Sequence, residues 1–380
     1  MEKLIVKNFG AIRNIEVELK NLTVFIGETG TGKSTIAKLV SIFRSNDFLE
    51  ENIHNVGFFK IKLAYYQIAN FLKPSTYIEF QSNIGFSFIY NKGEISHNFY
   101  EQILKQLEKN TLNQIKEDKI VNRKMIQELL SLAFQEVIYL PAERGVVSFL
   151  SEKYAALDRK ELIGLFPETL LDFTGTFNKV SSIIRKLKIA LFDDITYQKE
   201  NGKDYIILAN GKSLLLSESA SGLQAIIPAL IVFDYFSQDE TKKSYTFEEP
   251  ELNLFPIAQK SLVEFLAEKV LSQGHKIIIT THSPYILTAI NNLLFASKIV
   301  TKYPDSKEKI IEVSGLSSFI SSSDIAIYYL SNEDIDCSIN LIDKDTGMIP
   351  DNELDSASSE IMEVFDSLMS VYREFKRTTN

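Results

Sequence analysis

The 380-residue sequence predicts an α/β fold with a mainly parallel core sheet. Two stretches carry that expectation. Near the N-terminus the apolar run 22–26 leads into Gly27-Glu28-Thr29-Gly30-Thr31-Gly32-Lys33-Ser34-Thr35, then into the apolar stretch 36–43. This is G-x-x-x-x-G-K-[ST] between a strand and a helix, the context that makes the motif a P-loop. From residue 221 onward helix and strand patterns alternate, at 221–236, 244–249, 256–272, 276–281, 284–295 and 298–303. Such alternation implies parallel strands joined by crossover helices.

Taken in order, residues 4–12 read as a strand and a turn. Ile15, Val17 and Leu19 then alternate with charges, as a half-buried strand should. Together they predict an antiparallel β portion before the P-loop strand. Residues 45–136 read as an insertion, with helical patterns at 47–72, 98–117 and 123–136. Between these lies a hairpin, Tyr77–Phe80 and Gly85–Tyr90, turning at Asn91-Lys92-Gly93 into another short strand. Val137–Leu140 is a short apolar strand, and 146–190 reads as mainly helical. Asn201-Gly202 and Asn210-Gly211 punctuate a meander over 195–216, a strong hairpin signal. Segments 325–330 and 338–342 can pair, with a turn at Asp345–Gly347, and 356–377 reads as a terminal helix. The domain expectation is therefore a head over 1–331, with the insertion 45–136 and a helical lobe 145–194, followed by a hairpin-and-helix extension over 332–380.

Composition narrows the function classes. An apolar fraction of 45% is ordinary for a globular core. No apolar run is long enough for a membrane span, and the charged N-terminal strand is not a signal peptide. The single Cys337 excludes an intrachain disulfide framework and a paired-cysteine metal site. A cytoplasmic protein without membrane contact is the expectation. The net charge of −9 argues against a non-specific nucleic-acid binder. Lys179, Arg185, Lys186 and Lys188 cluster on one expected helix, either a solvated face or a local nucleic-acid patch.

The chemistry-bearing residues fall into four groups. In the P-loop, glycines let the backbone curl round phosphates, and the helix N-terminus adds partial positive charge. Lys33 would reach the β- and γ-phosphates of a nucleoside triphosphate, and the Ser34 hydroxyl would hold Mg2+. Second, Phe247-Glu248-Glu249-Pro250-Glu251 ends a buried strand with adjacent carboxylates. These are costly there unless they face a metal or a proton acceptor. Glu248 is placed for Mg2+ or its waters, and Glu249 to orient and deprotonate the attacking water. An acidic turn helped by Pro250 is the bland alternative. Third, 33 residues after Glu249, Thr281-His282-Ser283-Pro284 ends a second buried strand. His282 is either a structural histidine or a hydrogen-bond partner of the γ-phosphate. Fourth, Ser219-Ala220-Ser221-Gly222-Leu223-Gln224 opens an apolar helix. It is an ordinary N-cap or, about 26 residues before the acidic pair, an anion site.

The order of these four motifs resembles the ABC-type ATPase heads of the SMC-like, RecF-like and OLD-like (overcoming lysogenization defect) proteins. Val6-Lys7-Asn8-Phe9-Gly10-Ala11-Ile12 and the run from Glu248 through Pro256 look most like the OLD-like AAA ATPases of bacterial anti-phage defence. The resemblance implies an ABC-type P-loop head that binds and hydrolyses ATP with Mg2+. It assigns Gly27 to Thr35 to Walker A, and Ser219, Ser221, Gly222 and Gln224 to the signature. It makes Glu248 the Walker B acid, Glu249 the catalytic glutamate and His282 the switch histidine. It further implies a head-to-tail homodimer with ATP sandwiched between subunits, and a separate effector protein, nuclease or toxin. Glu143 stands about where such heads carry the Q-loop glutamine, and Arg144 would contact phosphate or brace the lobes. Glu248 replaces the commoner Asp. Asp343 and Asp345 superficially resemble a Toprim metal pair, but fewer than 60 residues follow Ser323, so they are expected to flank a turn. A RecF-like repair clamp closing on duplex DNA is the alternative, which the Glu-Glu-Pro-Glu run fits poorly. A transporter's nucleotide-binding subunit is a third class, disfavoured by the first strands and the helical insertion.

Overall fold

The computed structural model describes residues 2–46, 55–99, 101–102, 105, 134–153, 159–189, 191–192, 194–331 and 338–350. The helices expected at 98–117 and 123–136 fall mostly outside these residues, and the one at 356–377, with Cys337, falls wholly outside them. In chain order the elements are β1 (Glu2–Phe9), β2 (Ile12–Leu19), β3 (Leu22–Gly27), α1 (Lys33–Arg44) and α2 (Val56–Tyr65). Next come β4 (Tyr77–Gln81), β5 (Ser87–Asn91), β6 (Glu94–His97) and β7 (Glu136–Leu140). A mixed segment succeeds them: α3 (Val147–Lys153), α4 (Arg159–Ile163), α5 (Glu168–Ile183), β8 (Lys186–Lys188), β9 (Ile195–Glu200), β10 (Lys203–Leu208) and β11 (Ser213–Leu215). The rest is α6 (Ser221–Ser237), β12 (Lys243–Glu248), α7 (Pro256–Leu266), β13 (Lys276–Thr281), α8 (Pro284–Lys302), α9 (Lys307–Ser314), β14 (Ile325–Leu330) and β15 (Ser338–Asn340).

The central sheet has the order β15-β14-β3-β13-β12-β7. Strands β14, β3, β13, β12 and β7 run parallel, and β15 adds an antiparallel edge. Both faces are covered, so its strands read as continuous apolar runs rather than alternating ones. Ile277 and Ile279 of β13 face one core with Phe247 and α6–α8, while Ile278 faces a second core with Phe25 and α1. Helix α1 lies between this sheet and an antiparallel one of order β2-β1-β4-β5-β6. Its apolar residues surround it, and Phe43 stacks on Phe80 at a centroid distance of 5.0 Å. The insertion thus completes the N-terminal sheet: β4 pairs directly with β1.

Several expectations change. The strand expected at 298–303 is the last part of α8, which runs to Lys302. Ile299, Val300 and Thr301 are β-branched, but they continue a helix whose earlier turns are anchored on the core through Ala296. The lobe expected to be helical to residue 194 turns to strand at β8, where Leu187 pairs with Tyr197. Lys186 and Lys188 therefore sit on an exposed edge strand, Lys179 on α5, and the basic residues do not share one helix face. The helical pattern ending at 136 gives way to a bridge between Gln135 and Ser45 and then to β7. Beyond residue 331, β15 joins the central sheet, and Leu341 and Ile349 enter its core.

A buried ion network ties the chain start to the base of α1. Arg44 donates to both Glu2 carboxylate oxygens, at 2.7 and 3.1 Å, and Lys276 Nζ to Glu2 Oε2 at 2.9 Å. Burial alone would raise the Glu2 carboxyl, yet Arg44 and Lys276 overcome it and hold it below its ordinary value. Removing one partner strands a buried charge. Glu2→Ala is expected to cost about 3–5 kcal/mol of stability in urea unfolding. Because the folded-state pKa is lowered, this contribution is present above the ordinary value of 4.5 and is lost as pH falls through the folded value. Wild type and Glu2→Ala should thus converge in stability on acidification.

Candidate functional site

Parallel pairing brings the ends of β3, β13 and β12 to one edge of the sheet. Thr281 is in register with Ile26, and Glu248 with Thr280. The loop after β3 therefore lies near the acidic run after β12 and the histidine after β13.

Gly27 ends β3 with φ 147, and a Cβ there would meet the Leu330 carbonyl oxygen at 2.2 Å. The approach of β14 leaves room only for glycine. Glu28, Thr29 and Gly30 are exposed at the loop tip, and the Thr31 hydroxyl donates to the Glu28 carbonyl. Gly32 adopts φ 95 as α1 starts, where Ser34 and Thr35 come next. Lys33 Nζ donates to the carbonyl oxygens of Gly27 (2.8 Å) and Glu28 (2.6 Å). Burial lowers its pKa to about 8, with Glu249, Glu251 and Glu28 pulling it back up. Free anions bind the protonated ammonium. Above about pH 8 binding of a triphosphate must therefore take up a proton, and affinity should fall by up to ~10-fold per pH unit. Calorimetry at pH 9 in buffers of differing ionisation enthalpy reads that uptake; its absence would show that Lys33 does not meet phosphate.

Glu248 is 4% exposed, and its Oε1 has no hydrogen-bond partner. Burial raises its pKa, opposed by Lys38 and by the nearby Tyr139 and Ser34 side chains. A buried, unpartnered carboxylate oxygen near the P-loop serine fits a hard cation held by one carboxylate, a hydroxyl and phosphate oxygens. Among the described residues no cluster of three or more His, Cys, Asp or Glu is built as an all-protein metal cage. Glu249 has φ 41, a left-handed conformation that costs a β-carbon residue about 1–3 kcal/mol. Its N–H donates to the Thr280 carbonyl at 2.8 Å. Its Oε1 stands 3.6 Å from His282 Nε2, with both side chains partly open to solvent.

Two residues of this cluster carry more than the sequence reading assigned to them. Glu251 Oε1 accepts from the Thr281 hydroxyl and from the His282 N–H, both at 2.7 Å, and so fixes the end of β13 to the loop after β12. Arg144 is fully buried, stacked 4.7 Å from the Phe247 ring centroid. It donates to the carbonyl oxygens of Pro141 (3.1 Å), Glu248 (2.6 Å) and Glu249 (2.7 Å). Burial lowers its pKa to about 10, against the pull of Glu251, Glu249, Glu248 and Glu143. Arg144 thus braces the acidic turn through its backbone, the second of the two roles open to it. Glu143 is exposed beside it. The cue in the sequence was Arg three residues after Pro141, but only the fold shows what it holds. Asp343 and Asp345 sit at a turn, with the Asp343 carboxylate accepting from the Thr346 N–H and hydroxyl.

The Ser219–Gln224 segment is built differently. The Ser219 hydroxyl donates to the Leu216 carbonyl, and the Gln224 amide to the carbonyls of Ser217 and Ser219. Ser221 is exposed at the start of α6. A Cβ on Gly222 would meet the Asn253 carbonyl oxygen at 2.5 Å, so α6 starts against the loop after the acidic run. Among the described residues no hydrogen bond or ion pair joins residues 217–224 to the P-loop. The structure brings together Lys33, Ser34, Glu248, Glu249 and His282, and makes no such link for Ser219, Ser221, Gly222 or Gln224.

A glycine loop at a parallel strand end, a lysine inside it and a carboxylate pair on a nearby strand define a P-loop nucleotide-binding fold. The AAA ATPase domain family model matches at residues 1–129 and 68–287, and the chain belongs to that family. It is an ATPase-domain protein. No curated protein matches the chain. Among solved structures it is similar to the SMC head domain from Thermotoga maritima, at 16% identity over 76% of this chain and 90% of that one (TM-score 0.38). It is also similar to the SmcHead bound to the C-winged helix domain of ScpA, at 13% identity, 89% and 96% coverage and TM-score 0.38. The Smc head domain with an extended coiled coil bound to the C-terminal domain of ScpA, derived from Pyrococcus furiosus, matches at 12% identity, 96% and 100% coverage and TM-score 0.39. Among the described residues no helix is long and apolar enough to cross a membrane.

Proposed function

We propose that the chain is an ATP-gated dimerising switch of OLD-like type, the ATPase component of an anti-phage system whose damage is done by a separate effector. The observation that carries the ATPase half is the convergence of Lys33, Glu248, Glu249 and His282 at one sheet edge, with Glu249 standing 3.6 Å from His282. In this reading the P-loop amides and Lys33 cradle the phosphates, and Ser34 and Glu248 hold Mg2+, which would neutralise phosphate charge. Glu249 takes a proton from the attacking water, and His282 reads the γ-phosphate. Arg144 and Glu251 keep the two strand ends in register. The defence half rests on the motif resemblance. Expressing the chain with its genomic neighbours and challenging the cells with phage tests it: protection that survives Lys33→Ala, or no protection at all, overturns it.

Duplex DNA is expected to leave ATP turnover unchanged within about twofold at ~150 mM salt. Non-specific binding needs several simultaneous Lys or Arg contacts to phosphate. The protein is net acidic, and the expected basic helix is split between α5 and an edge strand. Strong stimulation by DNA in a turnover assay would favour the RecF-like clamp instead.

A further inference from the structure

Strand β7 carries a buried phenol to the acidic end of β12. The two strands pair in parallel, with Tyr139 opposite Thr246. Both side chains lie on the face of the sheet that α1 covers. Tyr139 enters the core there with Phe25, and the Thr246 hydroxyl shares a hydrogen bond with Ser41 at 2.7 Å. Glu248, two residues on from Thr246, faces the same side. The Lys38, Tyr139 and Ser34 side chains are its neighbours. The Tyr139 ring makes a T-shaped contact with Tyr66, at a centroid distance of 5.1 Å.

Two polar atoms are left over in this packing. Tyr139 is 8% exposed, and neither its hydroxyl nor Glu248 Oε1 has a well-formed hydrogen bond. Buried polar atoms are costly without partners, so an orphan inside a protein calls for a reason. Here the two orphans belong to neighbouring side chains, and among the charges that act on the phenol Glu248 weighs most. A phenol keeps its proton at neutral pH, so Tyr139 can donate to a carboxylate. Polar contacts in a binding site are often long or misaligned until the ligand seats. Ser34, the other hydroxyl beside Glu248, is the one assigned to the cation, which leaves Tyr139 as the donor to the carboxylate.

We propose that Tyr139 is a positioning residue for Glu248: its hydroxyl donates to one carboxylate oxygen and holds the other toward Ser34, where the nucleotide's cation would bind. Carboxylates that ligate metal ions are themselves oriented by hydrogen bonds, and losing such a partner costs about 10–100-fold in metal affinity. The chain just past β7 already grips this strand end, because Arg144 donates to the Glu248 carbonyl at 2.6 Å. One segment would then hold the backbone of Glu248 and aim its side chain. The inference rests on the ATPase reading of Lys33, Ser34 and Glu248 and is independent of the anti-phage reading.

Tyr139→Phe tests it, since it removes the hydroxyl and keeps the ring against Tyr66. Mn2+ stands in for Mg2+, and its electron paramagnetic resonance signal counts the free ion. With the full chain in excess over a non-hydrolysable ATP analogue, Tyr139→Phe should hold Mn2+ about 10–100-fold more weakly than wild type. Its affinity for the analogue in EDTA should stay within about twofold, and its melting temperature should not fall, because the lost hydroxyl had no well-formed bond. Tyr245→Phe is the control. That hydroxyl is also buried without a hydrogen bond, on β12 itself, but its side chain faces the other core. It should leave Mn2+ affinity unchanged. Wild-type Mn2+ affinity in Tyr139→Phe overturns the proposal, as does an equal loss in both variants. A matching loss of analogue affinity in EDTA, or a marked fall in melting temperature, would show a merely structural hydroxyl and overturn it too. A wild type that takes up no Mn2+ with the analogue overturns the ATPase reading, and this inference with it.

Discussion

Glu249→Gln is expected to leave ATP bound and to slow its hydrolysis by about 10²–10⁴-fold, the usual cost of losing a general base. The amide has the shape of the carboxylate but cannot accept the proton of the attacking water. The substitution leaves the local backbone intact, because Glu249 is anchored by its own N–H to Thr280 and by Arg144 on its carbonyl, not by its side chain. The left-handed φ of 41 is as costly for Gln as for Glu, so stability should barely change. One effect reaches the P-loop. Glu249 is the largest of the charges that raise the Lys33 pKa. Its loss should lower that pKa further and shift the alkaline fall in ATP affinity to lower pH. Single-turnover phosphate release together with a fluorescent-nucleotide binding curve separates the two effects. Unchanged phosphate release would remove Glu249 from the proton transfer.

The residues of this site were legible because their chemistry is local in sequence. Gly27, Lys33 and Ser34 lie within eight positions, and the acidic run and Thr281-His282 each close an apolar strand. What the sequence does not show is how strands far apart in the chain meet. The Glu251 carboxylate reads as one more acid in a turn until β12 and β13 pair and put it on the Thr281 hydroxyl. Arg144 reads as either a phosphate contact or a brace until its guanidinium is found on two carbonyls more than a hundred residues away.

The fold expectations failed where local preference and tertiary packing disagree. Ile299, Val300 and Thr301 favour a strand in isolation, but they extend a helix already anchored on the core through Ala296, and adding residues to a formed helix costs little. Lys186-Leu187-Lys188 alternates over too few residues to stand out from the helix before it. Its strand exists because β9 offers an open edge, and the flanking lysines then guard that edge against a further strand. Past residue 331, the boundary expected for the head, the chain returns to the central sheet. β15 is only three residues long and gains its place by pairing with β14.

Ser221→Arg is expected to abolish steady-state turnover while leaving ATP affinity of the isolated subunit nearly unchanged. The Ser219–Gln224 segment spends its internal hydrogen bonds on itself: Ser219 on Leu216, Gln224 on Ser217 and Ser219. Ser221 is left exposed, and among the described residues no polar contact links the segment to its own P-loop. On the proposed shared-site reading, a subunit alone would have Lys33 and the loop amides for phosphate but would lack these donors for the charge that develops on the γ-phosphoryl group. In the proposed head-to-tail pair the segment would complete the partner's site, and an arginine there would displace the Ser221 hydroxyl from that site without barring the pair from forming. Gly222 is the worse position to change, since any side chain meets the Asn253 carbonyl at 2.5 Å and would disturb the loop after Glu251. Lys33→Ala should be inactive for the opposite reason, having lost a charge-assisted contact to phosphate. Mixing the two inactive proteins should then restore part of the activity, up to about a quarter to a half of wild type. The mixed pair contains one site with an intact P-loop facing an intact Ser221. Turnover per subunit should also rise with protein concentration through the dimer's dissociation constant. A mixture that stays inactive while both variants remain folded and associate, or turnover that is independent of concentration well below that constant, would show that each subunit works alone.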